Sequence, residues 1–275
     1  MNAEAVQRYL AETRAIEGWF FPIDALLFGA LDEMQARESI GGNLFEIGVH
    51  HGKSAILLAR MCRGGEVLGV CDVFGAQELN VDHSGEGSRE LFLRNVAAHA
   101  RLGPSQLRVF AKRSSELTAE ETSTNCRFFH IDGGHRPADV VNDLGVAVRA
   151  LGPDGIAIVD DVFNPSWPGV SEGVYAFAAQ QPDALVPIVI GGNKAFFMRP
   201  AAVPRYRRQL DDLAAGAFFA DEAFRFETKE GLGRAVLVAS RRDWVDLHPL
   251  QAAALHARRG TAEASLLRWL VRWFG

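Results

Sequence analysis

Short apolar runs alternate with amphipathic segments along the first 200 residues of the chain. Five of these runs predict β-strands at 43–47, 67–71, 107–111, 127–131 and 155–159. Apolar residues at helical spacing predict helices at 53–61, 89–100, 137–150 and 171–180. This alternation predicts an α/β fold with a mostly parallel sheet and helices on both faces. Two more apolar runs, joined by Gly-Gly-Asn, predict a terminal antiparallel hairpin at 186–190 and 194–198, which makes seven strands.

The regions before and after this pattern differ from it. Helices are expected at 2–17 and 23–37, and the position of Pro22 suits the start of the second. Beyond residue 200 the sequence predicts a helix at 205–213, a strand pair at 224–228 and 235–239, and helices at 247–259 and 262–274. We therefore divide the chain into a helical cap (1–40), an α/β core (41–200) and a C-terminal α/β appendage (201–275). The appendage is a cap, a dimerisation element or a membrane-surface helix. Packing on the protein's own body is favoured, because an apolar stripe along one face of a helix, as at 262–274, is usually part of a core.

Composition excludes some classes of function. The chain has 275 residues, 48% of them hydrophobic, and a net charge of −5, which argues against nucleic acid as a partner. Its three cysteines are widely spaced, as expected of free thiols in a reducing compartment. No signal peptide and no run of about 18 apolar residues is evident. We expect a cytoplasmic protein that does not bind membranes, with homo-oligomer formation through its terminal helices left open.

A glycine turn follows the first strand, at residues 46–52. It is not a phosphate-binding P-loop, because only three residues separate Gly48 from Gly52 where that loop needs four. Gly48 instead lets the backbone pass close to a ligand, Gly52 opens the next helix, and Glu46 supplies a carboxylate for a cationic amine or the nearby chain. Asp72 ends the next strand, where an acidic side chain can bind ribose hydroxyls. The alternatives are a tight strand–helix turn for the glycines and a cap for Asp72.

Acidic residues end the fourth and fifth strands. Asp132 follows one strand and Asp160-Asp161 the other, and adjacent parallel strands lie ~4.8 Å apart. Three carboxylates without a cysteine favour Mg²⁺ or Mn²⁺, and grouping them without a cation is costly. His135 is a candidate base, and we expect the start of the following helix to keep its imidazole neutral. Taken singly, each residue is also a reasonable helix cap or turn residue.

These motifs together resemble a class I S-adenosylmethionine-dependent methyltransferase with a Rossmann-like sheet. The resemblance rests on residues 46–54, 71–77, 128–135, 158–163 and 167–170, and extends from about Gly18 to Met198. It is nearest to the metal-dependent sugar O-methyltransferases of macrolide-type pathways. Catechol O-methyltransferases are similar, but have a lysine where His135 stands and Asp-Asn where Asp160-Asp161 stand.

The resemblance implies a reaction and a set of site residues. Methyl would pass from S-adenosylmethionine to a hydroxyl of a sugar or diol-bearing acceptor, which includes natural products and glycans. Asp132, Asp160 and Asp161 would hold Mg²⁺ or Mn²⁺, and His135 would be the catalytic base. The cofactor-binding residues would be Glu46, Gly48, Gly52, Lys53, Ser54, Asp72, Ser114 and Asp132.

Further features bear on access to this site, and other functions stay open. The polar segment 75–87, with Trp19 and Trp167, is expected to close over the site. A metal-dependent hydrolase could use the same carboxylates and His135 without the cofactor. A catechol-type methyltransferase, or a non-catalytic member that serves as a partner protein, is a further alternative.

Overall fold

We describe the protein from a computed structural model, which places residues 1–103, 105–122, 125–211, 213, 217–219 and 224–241. The helices predicted at 247–259 and 262–274 lie outside these residues. Within the described residues, no helix is both long enough and apolar enough to cross a membrane.

Strands and helices alternate through the core as the sequence predicts. The strands are β1 (Asn43–Ile47), β2 (Leu68–Asp72), β3 (Leu107–Ala111), β4 (Cys126–Ile131), β5 (Leu151–Val159), β6 (Val186–Gly191), β7 (Lys194–Met198), β8 (Phe224–Gly231) and β9 (Arg234–Arg241). The helices are α1 (Ala3–Glu12), α2 (Pro22–Arg37), α3 (Lys53–Met61), α4 (Arg89–His99), α5 (Ala119–Thr122), α6 (Pro137–Ala150), α7 (Pro168–Gln180) and α8 (Val203–Asp211). Single 3-10 turns occur at Gln77–Leu79, Ser114–Glu116, Pro200–Ala202 and Ala217–Phe219.

The strands form one sheet in the order β3-β2-β1-β4-β5-β7-β6-β9-β8. The first five are mutually parallel, and β7 runs antiparallel to both β5 and β6. The predicted fold class, with its closing hairpin, is confirmed.

The predicted strand count of seven is wrong, because the described residues form a sheet of nine strands. The pair predicted beyond residue 200 forms as β8 and β9, but β9 lies parallel to β6, with Val189 opposite Leu237. This pairing covers the β6 edge, whose backbone groups would otherwise lack partners. The division of the chain into three domains stays a prediction.

Two apolar clusters cover the faces of the sheet. Side chains from α1 to α4 pack on one face, and side chains from α6 and α7 pack on the other. Phe28 of α2 lies edge-on to Phe128 of β4, with ring centroids 5.0 Å apart, and to His130 at 5.2 Å. Tyr9 of α1 donates a 2.6 Å hydrogen bond to the Lys53 carbonyl. The N-terminal helices therefore brace the start of α3, directly after the glycine turn.

The order of the strands also fixes where ligands can bind. The chain builds outward from β1 to β3 and then returns to place β4 on the other side of β1. Ligands of open α/β sheets bind beyond the carboxyl ends of the strands at such a switch point. The glycine turn, Asp72, Asp132 and Asp160 all follow strands at this edge.

Candidate active site

A cleft of about 690 Å³ opens at this edge of the sheet. Its volume falls within the range of ~300–1,000 Å³ typical of small-molecule sites. One wall is the glycine turn, and the adjoining wall carries the acidic residues and His135. The segment 79–87 and two tryptophans, Trp19 and Trp167, also line it. The glycine turn and the acidic residues predicted from sequence therefore share a single cavity.

Gly48 allows two strand ends to approach closely. Its φ of +79° is a left-handed conformation, and a Cβ atom there would lie 1.7 Å from the Asp132 carbonyl oxygen. The Asp132 amide donates to the Ile47 carbonyl at 2.8 Å, which holds the two loops together. A side chain at Gly48 would displace the Asp132 segment, so a larger residue there perturbs both walls of the cleft at once.

The carboxylate of Asp72 organises the glycine turn. Its Oδ2 accepts the amides of Val49 at 2.7 Å and His50 at 2.9 Å, and its Oδ1 accepts the amide of Phe74 at 2.6 Å. A carboxylate offers about four acceptor positions, so these three bonds leave one for a ligand. Ribose binding by Asp72 stays a prediction.

The other predicted cofactor residues differ in their access to the cleft. Lys53, Ser54 and Ser114 line it. Glu46 is fully buried, and its Oε1 lies 2.7 Å from His130 Nδ1. Burial raises the pKa of Glu46 to about 8. Glu46 does not line the cavity. Its carboxylate contacts His130 of the neighbouring strand β4 instead of facing a ligand.

The three predicted metal ligands, Asp132, Asp160 and Asp161, fall in two groups that share Asp132. Ligand atoms of Asp132, His135 and Asp161 lie within 4.8 Å of one another, and so do those of His130, Asp132 and Asp160. Desolvation, together with the neighbouring Asp160 charge, raises the pKa of Asp132 well above its ordinary value. This set of carboxylate oxygens around a shared Asp132 fits a hard divalent cation such as Mg²⁺.

Lys194 is a site residue that sequence reasoning missed. Its ammonium group is fully buried, contacts Asp160 Oδ2 and lies 3.8 Å from Asp24 Oδ2. Burial lowers the pKa of Lys194, but these carboxylates outweigh burial and raise it above the ordinary value. The acidic cluster therefore already contains a cation, which weakens the inference that its charges alone demand a metal. A charged residue at the start of the otherwise apolar β7 was the available signal.

Asp161 has a strained backbone and a fully engaged side chain. Its φ is +58°, which is uncommon for a residue other than glycine and often marks a functional site. Its Oδ1 accepts from Asn164 at 2.8 Å and Asn193 at 2.6 Å. Its Oδ2 lies 3.3 Å from His135 Nε2, so this conformation aims the carboxylate at the candidate base.

The expectation that His135 is neutral is wrong for this arrangement. The ring lies between two carboxylates, with Nδ1 2.8 Å from Asp82 and Nε2 3.3 Å from Asp161. Burial alone would lower the pKa of His135, but the bonds to Asp161 and Asp82 outweigh it and raise the pKa to about 9. Trp167 stacks on the ring with centroids 4.1 Å apart. The sequence offered no reason to pair Asp82 with a residue 53 positions away.

Residues 45–162 match the profile of a methyltransferase domain family. The chain contains a methyltransferase domain. The resemblance of the sequence to class I methyltransferases is thereby confirmed. No curated protein matches the sequence.

Solved structures agree with this domain at the level of the fold. The O-methyltransferase NovP is 19% identical, with a TM-score of 0.54 over 66% of this chain and 83% of its own. TomG, an O-methyltransferase from Streptomyces achromogenes solved with S-adenosylmethionine, is 17% identical with a TM-score of 0.47, over 72% of this chain and 91% of its own. The TDP-rhamnose 3'-O-methyltransferase CalS11 is 16% identical with a TM-score of 0.46, over 72% of this chain and 93% of its own. The TomG and CalS11 scores are too low to support an argument, so the comparison of folds rests here on NovP.

Proposed function

We propose that this methyltransferase domain transfers methyl from S-adenosylmethionine to a hydroxyl group of a small molecule. One observation carries the proposal: the glycine turn after β1 and the group of Asp132, Asp161 and His135 line the same cleft. A donor held by the turn and an acceptor held by the acidic wall would meet within it. Holding two reactants in line contributes much of the rate of such transfers.

The cofactor side of the cleft is built from backbone and small polar groups. The turn around Gly48, Ser54 at the start of α3, and Ser114 after β3 would contact S-adenosylmethionine. Asp72 accepts hydrogen bonds from two backbone amides of the turn, which holds the turn in place before the cofactor binds. The sulfonium group of this cofactor supplies an activated methyl, so the protein's task is to align it and exclude water.

His135 is the residue best placed to remove the acceptor proton. Its Nε2 faces the Asp161 side of the cleft. As the acceptor oxygen forms a bond to the methyl carbon, the methyl–sulfur bond breaks with its electron pair on sulfur, and the hydroxyl proton passes to Nε2. The products are the methyl ether, S-adenosylhomocysteine and a protonated His135.

Asp132, Asp160 and Asp161 would hold the divalent cation. Their oxygens suit Mg²⁺ or Mn²⁺. Asp161 Oδ1 already accepts two hydrogen bonds, so Oδ2, which among the described residues contacts only His135, is the oxygen that retains a lone pair for a cation. A bound cation would supply a Lewis acid that lowers the pKa of the acceptor hydroxyl. Lys194, on the far side of Asp160, would hold that carboxylate in place.

We infer a sugar or another diol-bearing molecule, such as a natural product or a glycan, as the acceptor. The polar floor formed by Asp132, Asp161 and His135 suits neighbouring hydroxyls, and the stacked Trp167 offers an apolar wall. His135 and the second aspartate also differ from the catechol-type pattern, which has lysine and asparagine there. We also propose that the protein is cytoplasmic and that it forms homo-oligomers through its N-terminal or C-terminal helices.

Calorimetry with S-adenosylmethionine tests the cofactor assignment. Ser114→Trp should fill part of the cleft and lower the affinity by about 5- to 150-fold, since overpacking costs ~1–3 kcal/mol. Ser105→Trp is the matched control, because Ser105 is exposed and does not line the cleft. No binding to the wild-type protein would overturn the proposal and favour the hydrolase alternative.

A further inference from the structure

Asp82 forms a bridge across the mouth of the cleft. It belongs to the segment 75–87, which links β2 to α4 and contains one 3-10 turn. Its Oδ2 accepts the backbone amide of His135 at 2.7 Å and lies 2.8 Å from His135 Nδ1. Its Oδ1 accepts the amide of Ser84 at 3.2 Å, which ties the bridge back to its own loop.

The bridge is the loop's polar connection to the acidic wall. Within the described chain, the other side-chain hydrogen bonds made by residues 75–87 stay on their own side of the cleft. Asn80 donates to Gln77 and Gly85, and Gln77 donates to the Phe74 carbonyl. If Asp82 were lost, the loop would keep its internal bonds and lose its hydrogen bonds to the wall that carries His135.

The same bridge sets the orientation of the imidazole. An Nδ1–H donated to Asp82 leaves Nε2 as the position that accepts a proton when the ring is neutral. Asp161 at Nε2 and Trp167 on the ring face restrict the remaining rotation. A carboxylate behind a histidine fixes tautomer and angle in this way at many catalytic sites.

We infer that Asp82 is a positioning residue that couples closure of the loop 75–87 to the orientation of His135. This inference rests on the proposed function, because the proposed function makes His135 the base that removes the acceptor proton. With the loop in place, Asp82 contacts the backbone amide and Nδ1 of His135, and Nε2 faces the cleft. With the loop displaced, the ring loses the partner that fixes its tautomer, so proton removal depends on the closed arrangement.

Three variants at one position test the inference. Asp82→Ala and Asp82→Asn should lower kcat by about 10–100-fold, the usual cost of losing a partner behind a functional histidine. KM for S-adenosylmethionine should stay within about twofold, because Asp82 acts at the acceptor's proton rather than at the cofactor. Asp82→Glu should recover part of kcat. Glu78→Gln is the control, since it removes one charge from an exposed position in the same loop.

Hydrogen exchange gives a readout that does not depend on activity. Asp82→Ala should speed amide exchange in residues 75–87 and at the His135 amide, while Glu78→Gln leaves both unchanged. Unchanged exchange in both places would overturn the coupling. Failure of the wild-type protein to bind S-adenosylmethionine would refute the proposed function instead, so the two failures are distinguishable.

A double-mutant cycle decides whether Asp82 works through His135. In the His135→Ala background, Asp82→Ala should cause no further loss of rate, because no imidazole remains to be oriented. A loss in that background as large as in the wild type would overturn the positioning role. So would retention of wild-type kcat in Asp82→Ala.

Discussion

Replacement of His135 by alanine should lower the rate of methyl transfer by about 10²–10⁴-fold, the usual contribution of a positioned base. Binding of S-adenosylmethionine should persist, because the glycine turn that would hold this cofactor does not include His135. The rate in the wild type should fall as pH drops through the pKa of His135, since imidazolium cannot accept a proton. Because Asp161 and Asp82 raise this pKa, the fall should begin at a higher pH than for a free imidazole. Single-turnover kinetics across a pH series measures both effects.

His99→Ala provides the matched control for this experiment. His99 is the last residue of α4 and does not line the cleft, so its variant should keep the wild-type rate and pH profile. If His135→Ala also kept both, another group would remove the proton, and His135 would have only a structural role.

Replacement of Asp132 by asparagine should separate function from stability. We expect Mn²⁺ affinity to fall by more than about 100-fold, since loss of a residue behind a metal ligand already costs about 10–100-fold. Methyl transfer should be lost with it. The melting temperature should stay equal or rise, because the neutral amide removes the cost of burying a carboxylate beside Asp160; burial first, and then the Asp160 charge, raise the pKa of Asp132. Electron paramagnetic resonance of Mn²⁺ and thermal unfolding test the two halves of the prediction.

Asp139→Asn is a control from the same cleft. Asp139 also lines the cavity, but its carboxylate is paired with Arg136 at 2.7 Å and lies outside the candidate ligand set. Its variant should retain Mn²⁺ binding. Equal affinity in Asp132→Asn and in the wild type would show that Asp132 is not a ligand of the cation. No Mn²⁺ binding to the wild type would leave Lys194 as the cation of this cluster.

Local patterning accounts for most of the fold and for the position of the site. Apolar runs of strand length between helical periods predicted β1 to β7, because every one of these strands except the edge strand β3 is mostly buried against its neighbours. Parallel topology then brings the residues after each strand to one edge. This rule alone placed the glycine turn, Asp72, Asp132 and Asp160 together.

The parts that sequence reasoning missed depend on contacts between distant segments. Lys194 begins β7, and only the insertion of β7 beside β5 brings it to Asp160. Asp82 lies in a loop without apolar periodicity, so no pattern links it to His135. The pairing of β9 with β6 depends likewise on which edge the appendage reaches, and strand propensity contains no information about that choice.

These misses also explain the error about His135. The charge of a histidine depends on the groups that surround it in space, and the helix start that follows it is only one of them. Asp161 and Asp82 approach from two other segments, and together they outweigh the burial that alone would lower the pKa of His135. The catalytic role of His135 stays a prediction, whereas the expectation of a neutral ring is wrong.

The most direct measurement uses S-adenosylmethionine labelled with carbon-13 in the transferred methyl. The protein is incubated with this donor and with sugar nucleotides, glycosides and small diols, and the products are read by NMR. We expect an O-methyl product, equimolar S-adenosylhomocysteine, and loss of both signals in His135→Ala and Asp132→Asn. Label on nitrogen or carbon, or equal transfer by the two variants, would contradict the assignment of this cleft as an O-methyltransferase site.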